Sequence, residues 1–259
     1  MKKWTKLAAL ALGAILTVGV IAGCGQDQKA AAPAGEKKLV VAGSTTWPPF
    51  EFAEGDKYVG FDVDLANLLG KKIGYKVEYK SMGFDALIPA LQTKQIDAIF
   101  SGMSITEKRK EVISFTDPYY MEKTVAVVKV SNDSIQNLQG LASKPVGAQI
   151  GTTQVGIAEK AGASTVKQFD NVPNMLDDIQ NGGVQAGLIA DSVAKYYIKV
   201  GGKKDLKIVD IGTTDNSEIG IGVNKENKEL LDKLNKALAE VKASGEFKAL
   251  EDKWLGQVK

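Results

Sequence analysis

Short apolar runs alternate along the chain with segments in which apolar residues recur at helical spacing. Each run ends in small or polar residues, as expected for a buried strand that delivers a loop. Strands that alternate with helices favour α/β architecture, with parallel sheets covered by helices on both faces. The predicted strands cover 39–42, 96–100, 124–130, 146–149, 166–169, 186–190, 206–209 and 218–223, and the main predicted helices cover 61–72, 84–91, 153–158, 173–180, 191–200, 230–241 and 247–254.

The order of these elements predicts two lobes. A self-contained α/β section in the middle of the chain is enclosed by similar material at both ends. We expect a first lobe made of 38–121 with 220–259 and a second lobe made of 122–219, with a hinge crossing at each end of the second. Within the first lobe, Asp85 is expected to cap the helix of 84–91, where Pro89 is tolerable only in or near the first turn.

The chain begins with the layout of an export signal. Residues 1–6 carry three lysines and no acid, and 7–23 is an uncharged, mostly apolar run, shorter than a comfortable membrane span of roughly 20 residues. Cys24, the single cysteine, follows, so the segment resembles a bacterial lipoprotein signal. The resemblance implies cleavage before Cys24 and a lipid anchor on the outer face of the cell membrane. The alternative is an uncleaved membrane helix. Residues 24–37 are predicted to form a flexible tether.

Composition excludes several classes of chemistry. The chain has no histidine, so no Ser-His or Cys-His nucleophile and no histidine metal site can be built. No phosphate-binding glycine loop and no calcium-binding loop is present. Removing 1–23 deletes three lysines and lowers the formal net charge from +2 to −1, which leaves no basic footprint for nucleic acid. We expect no cofactor, no metal and no nucleic-acid partner, although carboxylates and lysines still permit an enzyme.

Arg109 is the only arginine in a chain that otherwise uses lysine as its cation. A guanidinium offers a planar, two-pronged donor that matches a carboxylate, although a structural salt bridge is the alternative. The preceding loop contains Gly102, which permits a close approach to a ligand, and Ser104, which can donate to an anion. Thr106 is expected to cap the short helical turn that carries Arg109.

The second lobe offers a matching loop. Gly151, Thr152 and Thr153 place donors at a helix start, and Asp191 directly follows the strand of 186–190. Open α/β sheets bind ligands at such strand ends. The alternative is that Asp191 only caps a helix, and the two roles are compatible. One arginine and one carboxylate on opposite sides would suit a zwitterionic α-amino acid and should reject solutes that lack either group.

Five motifs occur in order and resemble the substrate-binding proteins of polar amino-acid ABC importers, closest to the glutamine-binding and lysine/arginine/ornithine-binding group. The match covers nearly all of 38–256. It implies a periplasmic-binding-protein fold of type II, a monomer, and a membrane permease as the partner. The motifs are Pro49-Phe50-Glu51-Phe52, Gly60 to Leu65, Ile88 to Gln92, Ser101 to Arg109 and Phe115 to Tyr120.

The resemblance also implies residue roles. Arg109 would clamp the ligand's α-carboxylate, assisted by Ser104 and Thr152, and Ser101 and Thr153 belong to the same two binding loops. Asp191 and the Gly102 carbonyl would take the α-ammonium. Trp47 and Phe84 would sandwich the aliphatic stem, although from the sequence alone both would be interpreted as core residues.

Two positions depart from the family pattern. Ser44 stands where several relatives place an acid that meets the ligand's side chain, and Gln149 stands where glutamine binders carry a lysine. The missing acid at Ser44 weakens the case for a ligand with a cationic side chain. The missing lysine at Gln149 weakens the case for a ligand with an acidic side chain. An uncharged amide such as glutamine suits Ser44, Thr45 and Gln149 best. The alternative is a basic amino acid, arginine or lysine, and arginine could be held by a cation–π contact with Trp47.

Three functions fit this resemblance. The favoured one is non-catalytic capture of an amino acid for import. A sensory protein would dock its closed form on a receptor, and the same fold also hosts dehydratases that act on small carboxylates. The enzyme requires an acid or base beside the clamped carboxylate, and Asp191 is the one candidate in the sequence.

Overall fold

A computed structural model describes residues 37–213 and 217–258. The predicted signal (1–23), the predicted lipidation site Cys24 and residues 25–36 of the predicted tether lie outside these ranges. Across the described ranges, no helix combines the length and the apolar character needed to cross a membrane.

The first lobe is built on a five-stranded sheet in the order β5-β1-β6-β15-β7. The first three run parallel, and β15 is antiparallel to both β6 and β7. A small antiparallel sheet of β2, β3 and β4 follows β1. The strands are β1 (Lys38–Gly43), β2 (Thr46–Trp47), β3 (Glu51–Glu54), β4 (Lys57–Val59), β5 (Lys76–Ser81), β6 (Ala98–Ile99), β7 (Ser114–Phe115) and β15 (Gly222–Val223).

The helices of the first lobe follow the predicted periodicity. In α1, Phe61, Leu65 and Leu69 are fully buried, and Gly74, with φ of +78°, lies just beyond the end of the helix. The side chain of Asn227 caps α7 by accepting a hydrogen bond from the amide of Leu230. The helices are α1 (Phe61–Lys72), α2 (Leu87–Gln92), α3 (Glu107–Lys110), α7 (Lys228–Ala243) and α8 (Glu246–Trp254), with a short 3₁₀ turn over Gly256–Val258.

The predicted cap at Asp85 is wrong. A 3₁₀ turn over Phe84–Ala86 leads directly into α2, and no side chain caps either element. The turn begins one residue before Asp85, so this side chain already lies inside it. Pro89 falls in the first turn of α2, where its missing amide proton costs no intrahelical bond.

The second lobe holds another five-stranded sheet, in the order β11-β10-β12-β9-β13. A 3₁₀ turn over Leu138–Leu141 precedes β10, and α6 continues as a wider π-type turn over Tyr196–Val200. The strands are β9 (Thr124–Lys129), β10 (Pro145–Gln149), β11 (Thr165–Phe169), β12 (Ala186–Ala190) and β13 (Leu206–Val209), and the helices are α4 (Thr153–Lys160), α5 (Val172–Asn181) and α6 (Asp191–Lys195).

Both sheets are mixed, so the expectation of parallel sheets is only partly right. The strands β10, β11 and β12 are parallel, whereas β9 and β13 run against their neighbours. The chain comes to β9 and to β15 directly from the other lobe. Each of these two strands therefore starts at the end of the sheet where the parallel strands finish. It must run antiparallel to them.

A two-stranded ribbon forms where the chain passes from one lobe to the other. The strands β8 (Tyr120–Glu122) and β14 (Ser217–Ile219) are antiparallel, with Glu122 opposite Ser217 and Tyr120 opposite Ile219. We name this pair the hinge ribbon. The predicted fold class, two α/β lobes with two crossings, is confirmed.

Candidate ligand-binding site between the lobes

A cavity lies where the two lobes and the hinge ribbon meet. Seven of the residues predicted for the site line it: Trp47, Phe84, Gly102, Ser104, Arg109, Thr152 and Thr153. Its wall also contains seven residues that the sequence analysis did not assign to the site: Phe50, Glu122, Thr124, Gln154, Ala190, Ser217 and Ile219.

Arg109 is held in place from its own lobe and from the other lobe. Thr106 caps α3, as predicted, by accepting a hydrogen bond from the Arg109 amide at 3.2 Å. One guanidinium nitrogen donates to the Ser104 carbonyl at 2.6 Å, and the other donates to the Gly151 carbonyl of the second lobe at 3.0 Å. The guanidinium carbon lies 5.3 Å from the centre of the Phe84 ring. These contacts fix the plane of the guanidinium against the cavity.

The charge of Arg109 has no acidic partner among the described residues. The side chain is only 8% exposed, and this burial lowers its pKa to about 10. A pKa of about 10 leaves the guanidinium charged at neutral pH. A buried cation without a partner is costly, so an anionic group that enters the cavity would be bound favourably.

Two buried carboxyl groups hold the loop of Ser101 and Gly102 from behind. Asp62 accepts hydrogen bonds from the Gly102 amide at 2.7 Å and from the Tyr119 hydroxyl at 2.8 Å. Glu51 accepts from the Ser101 hydroxyl at 2.7 Å. Burial raises the pKa of Asp62 to about 7 and raises the pKa of Glu51 well above its usual range, with the Asp62 charge adding to the shift of Glu51. Ser101 is thus a support of the loop, because its hydroxyl is engaged away from the cavity.

The second lobe contributes hydroxyl and amide groups. The Gln154 amide donates to the Thr124 hydroxyl at 3.3 Å, and both side chains are buried on the cavity wall. Thr152 precedes α4, and its hydroxyl donates to the Gln149 carbonyl at 2.7 Å. This bond sets the loop whose Gly151 carbonyl meets Arg109.

Ser44 and Gln149 lie away from the cavity lining and bind each other. The Gln149 amide donates to the Ser44 hydroxyl across the lobes at 3.1 Å and to the Asp170 carbonyl at the same distance. A second bond between lobes joins the Tyr197 hydroxyl to the Thr46 carbonyl at 3.0 Å. The two positions expected to read the ligand's side chain are therefore engaged in a contact that holds the lobes together.

Asp191 is also placed outside this cavity. Its carboxylate forms an ion pair with Lys195 at 2.7 Å and lines a neighbouring cavity with Tyr120 and Ser192. Its side chain does not cap α6 either. The expectation that Asp191 faces Arg109 across the site is not met in this conformation, because the lysine one turn further along α6 holds the carboxylate.

Glu122 is the acid that the structure does place on the cavity. It is 7% exposed and accepts hydrogen bonds from the Ser192 hydroxyl at 2.7 Å and from the amide of Lys123 at 3.2 Å. Burial raises its pKa from 4.5 to about 7. The predicted strand begins at 124, so the sequence offered no strand alternation that could have marked Glu122.

Gly102 offers a first test of this geometry. It has φ of +50°, and a Cβ there would lie 3.2 Å from Cδ1 and Nε1 of Trp47. We expect Gly102→Ala to weaken ligand binding about tenfold, measured by calorimetric titration, because the Trp47 ring must move. Gly74→Ala is the matched control, since Gly74 also has positive φ but nothing lies within 4 Å of its Cβ position. Equal affinity of the two variants would show that the Trp47 contact does not shape the site.

A cleft between two α/β lobes, joined by two chain crossings and lined by the buried guanidinium of Arg109, defines a two-lobed binding protein of type II. Comparison with known proteins agrees with this class. Residues 39–257 match the family of bacterial extracellular solute-binding proteins, family 3, and the chain belongs to that family.

Similar proteins are known in sequence and in structure. The arginine-binding extracellular protein ArtP of Bacillus subtilis is 36% identical over 262 residues, which cover 98% of each chain. The structure of an ancestral arginine-binding protein bound to arginine is 43% identical, covers 84% of this chain and 97% of its own, and has a TM-score of 0.79. The structure of an ancestral arginine-binding protein bound to glutamine is 44% identical, covers 85% and 98%, and has a TM-score of 0.80.

Proposed function

We propose that this protein captures a polar L-amino acid outside the cell and delivers it to the permease of an ABC importer. The observation that carries the proposal is the buried guanidinium of Arg109, which lines the interlobe cavity and has no acidic partner among the described residues. The α-carboxylate is the one anionic group common to all amino acids, and a planar guanidinium binds it through two parallel hydrogen bonds.

Lobe closure is part of the proposed capture. Arg109 reaches the Gly151 carbonyl, and Gln149 reaches Ser44, so contacts between the lobes and contacts with a ligand form together. We propose that the two lobes, 38–121 with 220–259 and 122–219, swing apart about the hinge ribbon to admit the ligand. Such a motion couples occupancy of the cavity to the shape that a permease would meet.

Two ligands are the leading candidates. L-Arginine is supported by the names of the similar proteins and by the aromatic wall of Trp47 and Phe84, which suits both an aliphatic stem and a cation. L-Glutamine, which the sequence favours, is supported by the glutamine-bound relative. The contact between Ser44 and Gln149 weakens the sequence case for glutamine, because that case relied on both side chains being free for the ligand.

In this proposal the protein is a monomer, has no catalytic activity and is anchored through a lipid on Cys24.

The test of capture is calorimetric titration of the mature chain with each of the twenty amino acids. We expect dissociation constants in the micromolar range or below for at least one of them. Binding no tighter than about 1 mM, or roughly −4 kcal/mol, for all twenty would reject capture. Consumption of a small carboxylate during incubation would indicate an enzyme instead.

A further inference from the structure

Two neighbouring tyrosines of the second lobe contact the first lobe outside the ligand cavity. The Tyr197 hydroxyl donates to the Thr46 carbonyl at 3.0 Å, and the ring centres of Tyr196 and Phe52 are 5.4 Å apart. Thr46 and Phe52 lie directly opposite each other where β2 pairs with β3. The adjacent tyrosines therefore meet two paired residues of one small sheet, and none of the four lines the ligand cavity. We name these four residues the latch.

The π-type turn over Tyr196–Val200 presents both tyrosines to this sheet. Such turns are rare and often occur at functional places in a helix. The planes of the two tyrosine rings meet at 87°, so one ring packs on Phe52 while the other directs its hydroxyl to Thr46. Burial raises the pKa of Tyr197 well above its usual range, so the hydroxyl keeps its proton and remains a donor.

The C-terminal segment supports the latch from the first lobe. The ring of Trp254 lies 5.9 Å from that of Phe52, at nearly a right angle, and its indole nitrogen donates to Asp64 of α1 at 2.8 Å. The next turn, Gly256–Val258, lies against the π-type turn of the second lobe, and Val258 is buried. Phe52 is thus fixed between the C-terminal helix and the second lobe.

The contacts of the latch join groups of different lobes, so they are made only when the lobes are together. We propose that the latch holds the lobes closed and sets how fast a captured amino acid leaves, without reading which amino acid is bound. The inference rests on the proposed capture of an amino acid. It separates two tasks, because the cavity selects the ligand and the latch controls its residence time. Release requires opening, so weakening the latch should accelerate the release of every ligand by the same factor.

Tyr197→Phe is the sharpest variant, because it removes the hydroxyl and keeps the ring. We expect the release of the two amino acids that bind most tightly to become about fivefold faster, which is the factor for one neutral hydrogen bond. Stopped-flow tryptophan fluorescence measures both rates. Tyr58→Phe is the matched control, since Tyr58 is 40% exposed and packs on Tyr79 of its own lobe.

The control should release both amino acids at the rate of the unmodified protein. Release from Tyr197→Phe at that same rate would overturn the proposal. Clearly different factors for the two amino acids would also overturn it, because Tyr197 would then act through the cavity.

Phe52→Leu tests the latch from the first lobe. It keeps an apolar side chain and removes the ring contact with Tyr196. We expect faster release of both amino acids, again by one common factor. Unchanged release would show that the ring contact does not hold the lobes, which contradicts the latch.

Small-angle X-ray scattering tests the latch without any ligand. The double variant Phe52→Leu/Tyr197→Phe should have a larger radius of gyration than the unmodified protein, because open lobes become more populated, and saturating ligand should make the two radii equal. Equal radii without ligand would overturn the proposal. If the unmodified protein binds no amino acid, the proposed function fails, whereas the scattering comparison still tests the latch.

Discussion

Replacing Arg109 by lysine is expected to weaken amino-acid binding at least about 100-fold. A single ammonium cannot hold the Ser104 carbonyl, the Gly151 carbonyl and a ligand carboxylate at the same time, whereas the planar guanidinium presents five donors in fixed directions. Each hydrogen bond between charged groups contributes about 1.5–3 kcal/mol, so the loss of one or two of them accounts for this factor. Calorimetric titration with L-arginine and L-glutamine measures it.

Lys110→Ala provides the control for that experiment. Lys110 is a cation on the same short helix, but it is exposed and pairs with Glu107 at 2.9 Å. Its removal should leave the dissociation constant within about twofold, since an exposed ion pair contributes little. An Arg109→Lys variant that binds as tightly as Lys110→Ala would mean that the carboxylate clamp lies elsewhere in the cavity.

Replacing Asp62 by alanine is expected to cause the largest loss of stability. The carboxyl group is fully buried and accepts from the buried Tyr119 hydroxyl and from the partly buried Gly102 amide, so its removal leaves two donors unpaired. Each unpaired donor costs about 1–3 kcal/mol, which gives a loss of roughly 4 kcal/mol. In a lobed domain of this size that corresponds to a decrease of about 10 °C in Tm, measured by thermal unfolding without ligand.

Asp56→Ala is the comparison, because Asp56 is an exposed carboxylate in the turn between β3 and β4. This variant should unfold within about 2 °C of the unmodified protein, in line with ordinary surface substitutions. Asp62→Ala should also weaken ligand binding, since the Gly102 loop loses its anchor. A Tm for Asp62→Ala equal to that of Asp56→Ala would show that Tyr119 and Gly102 find other acceptors.

The periodicity of apolar residues was sufficient to predict most elements of both lobes. The helix α7 and the strands β10 and β12 were found because each buries a continuous apolar face, and burial leaves a period in the sequence. The direction of β9 and β15 within their sheets was predicted wrongly, because the alternation of strands and helices favours parallel sheets. Local periodicity is the same for parallel and antiparallel strands, and only the path of the chain between the lobes decides the direction.

The site shows the same division between local and tertiary information. The sequence identified Arg109 as the only guanidinium and placed it after a loop containing Gly102 and Ser104, and it also indicated the aromatic residues Trp47 and Phe84 through a family resemblance. All five lie on the cavity. These residues lie near the end of a strand or the start of a helix. The positions of such ends are determined by a few neighbouring residues, so the local sequence can predict them.

The choice of acid was decided by the tertiary structure. Asp191 has the more suggestive sequence position, yet Lys195 holds its carboxylate, while Glu122 becomes part of the cavity because β8 pairs with a strand almost 100 residues away. Likewise, Ser44 and Gln149 find each other across the lobes. The sequence determined the lobes, the guanidinium and the loops, and only the docking of distant segments determined which polar groups remain free to meet a ligand, because pairing between side chains depends on distances that local patterns do not contain.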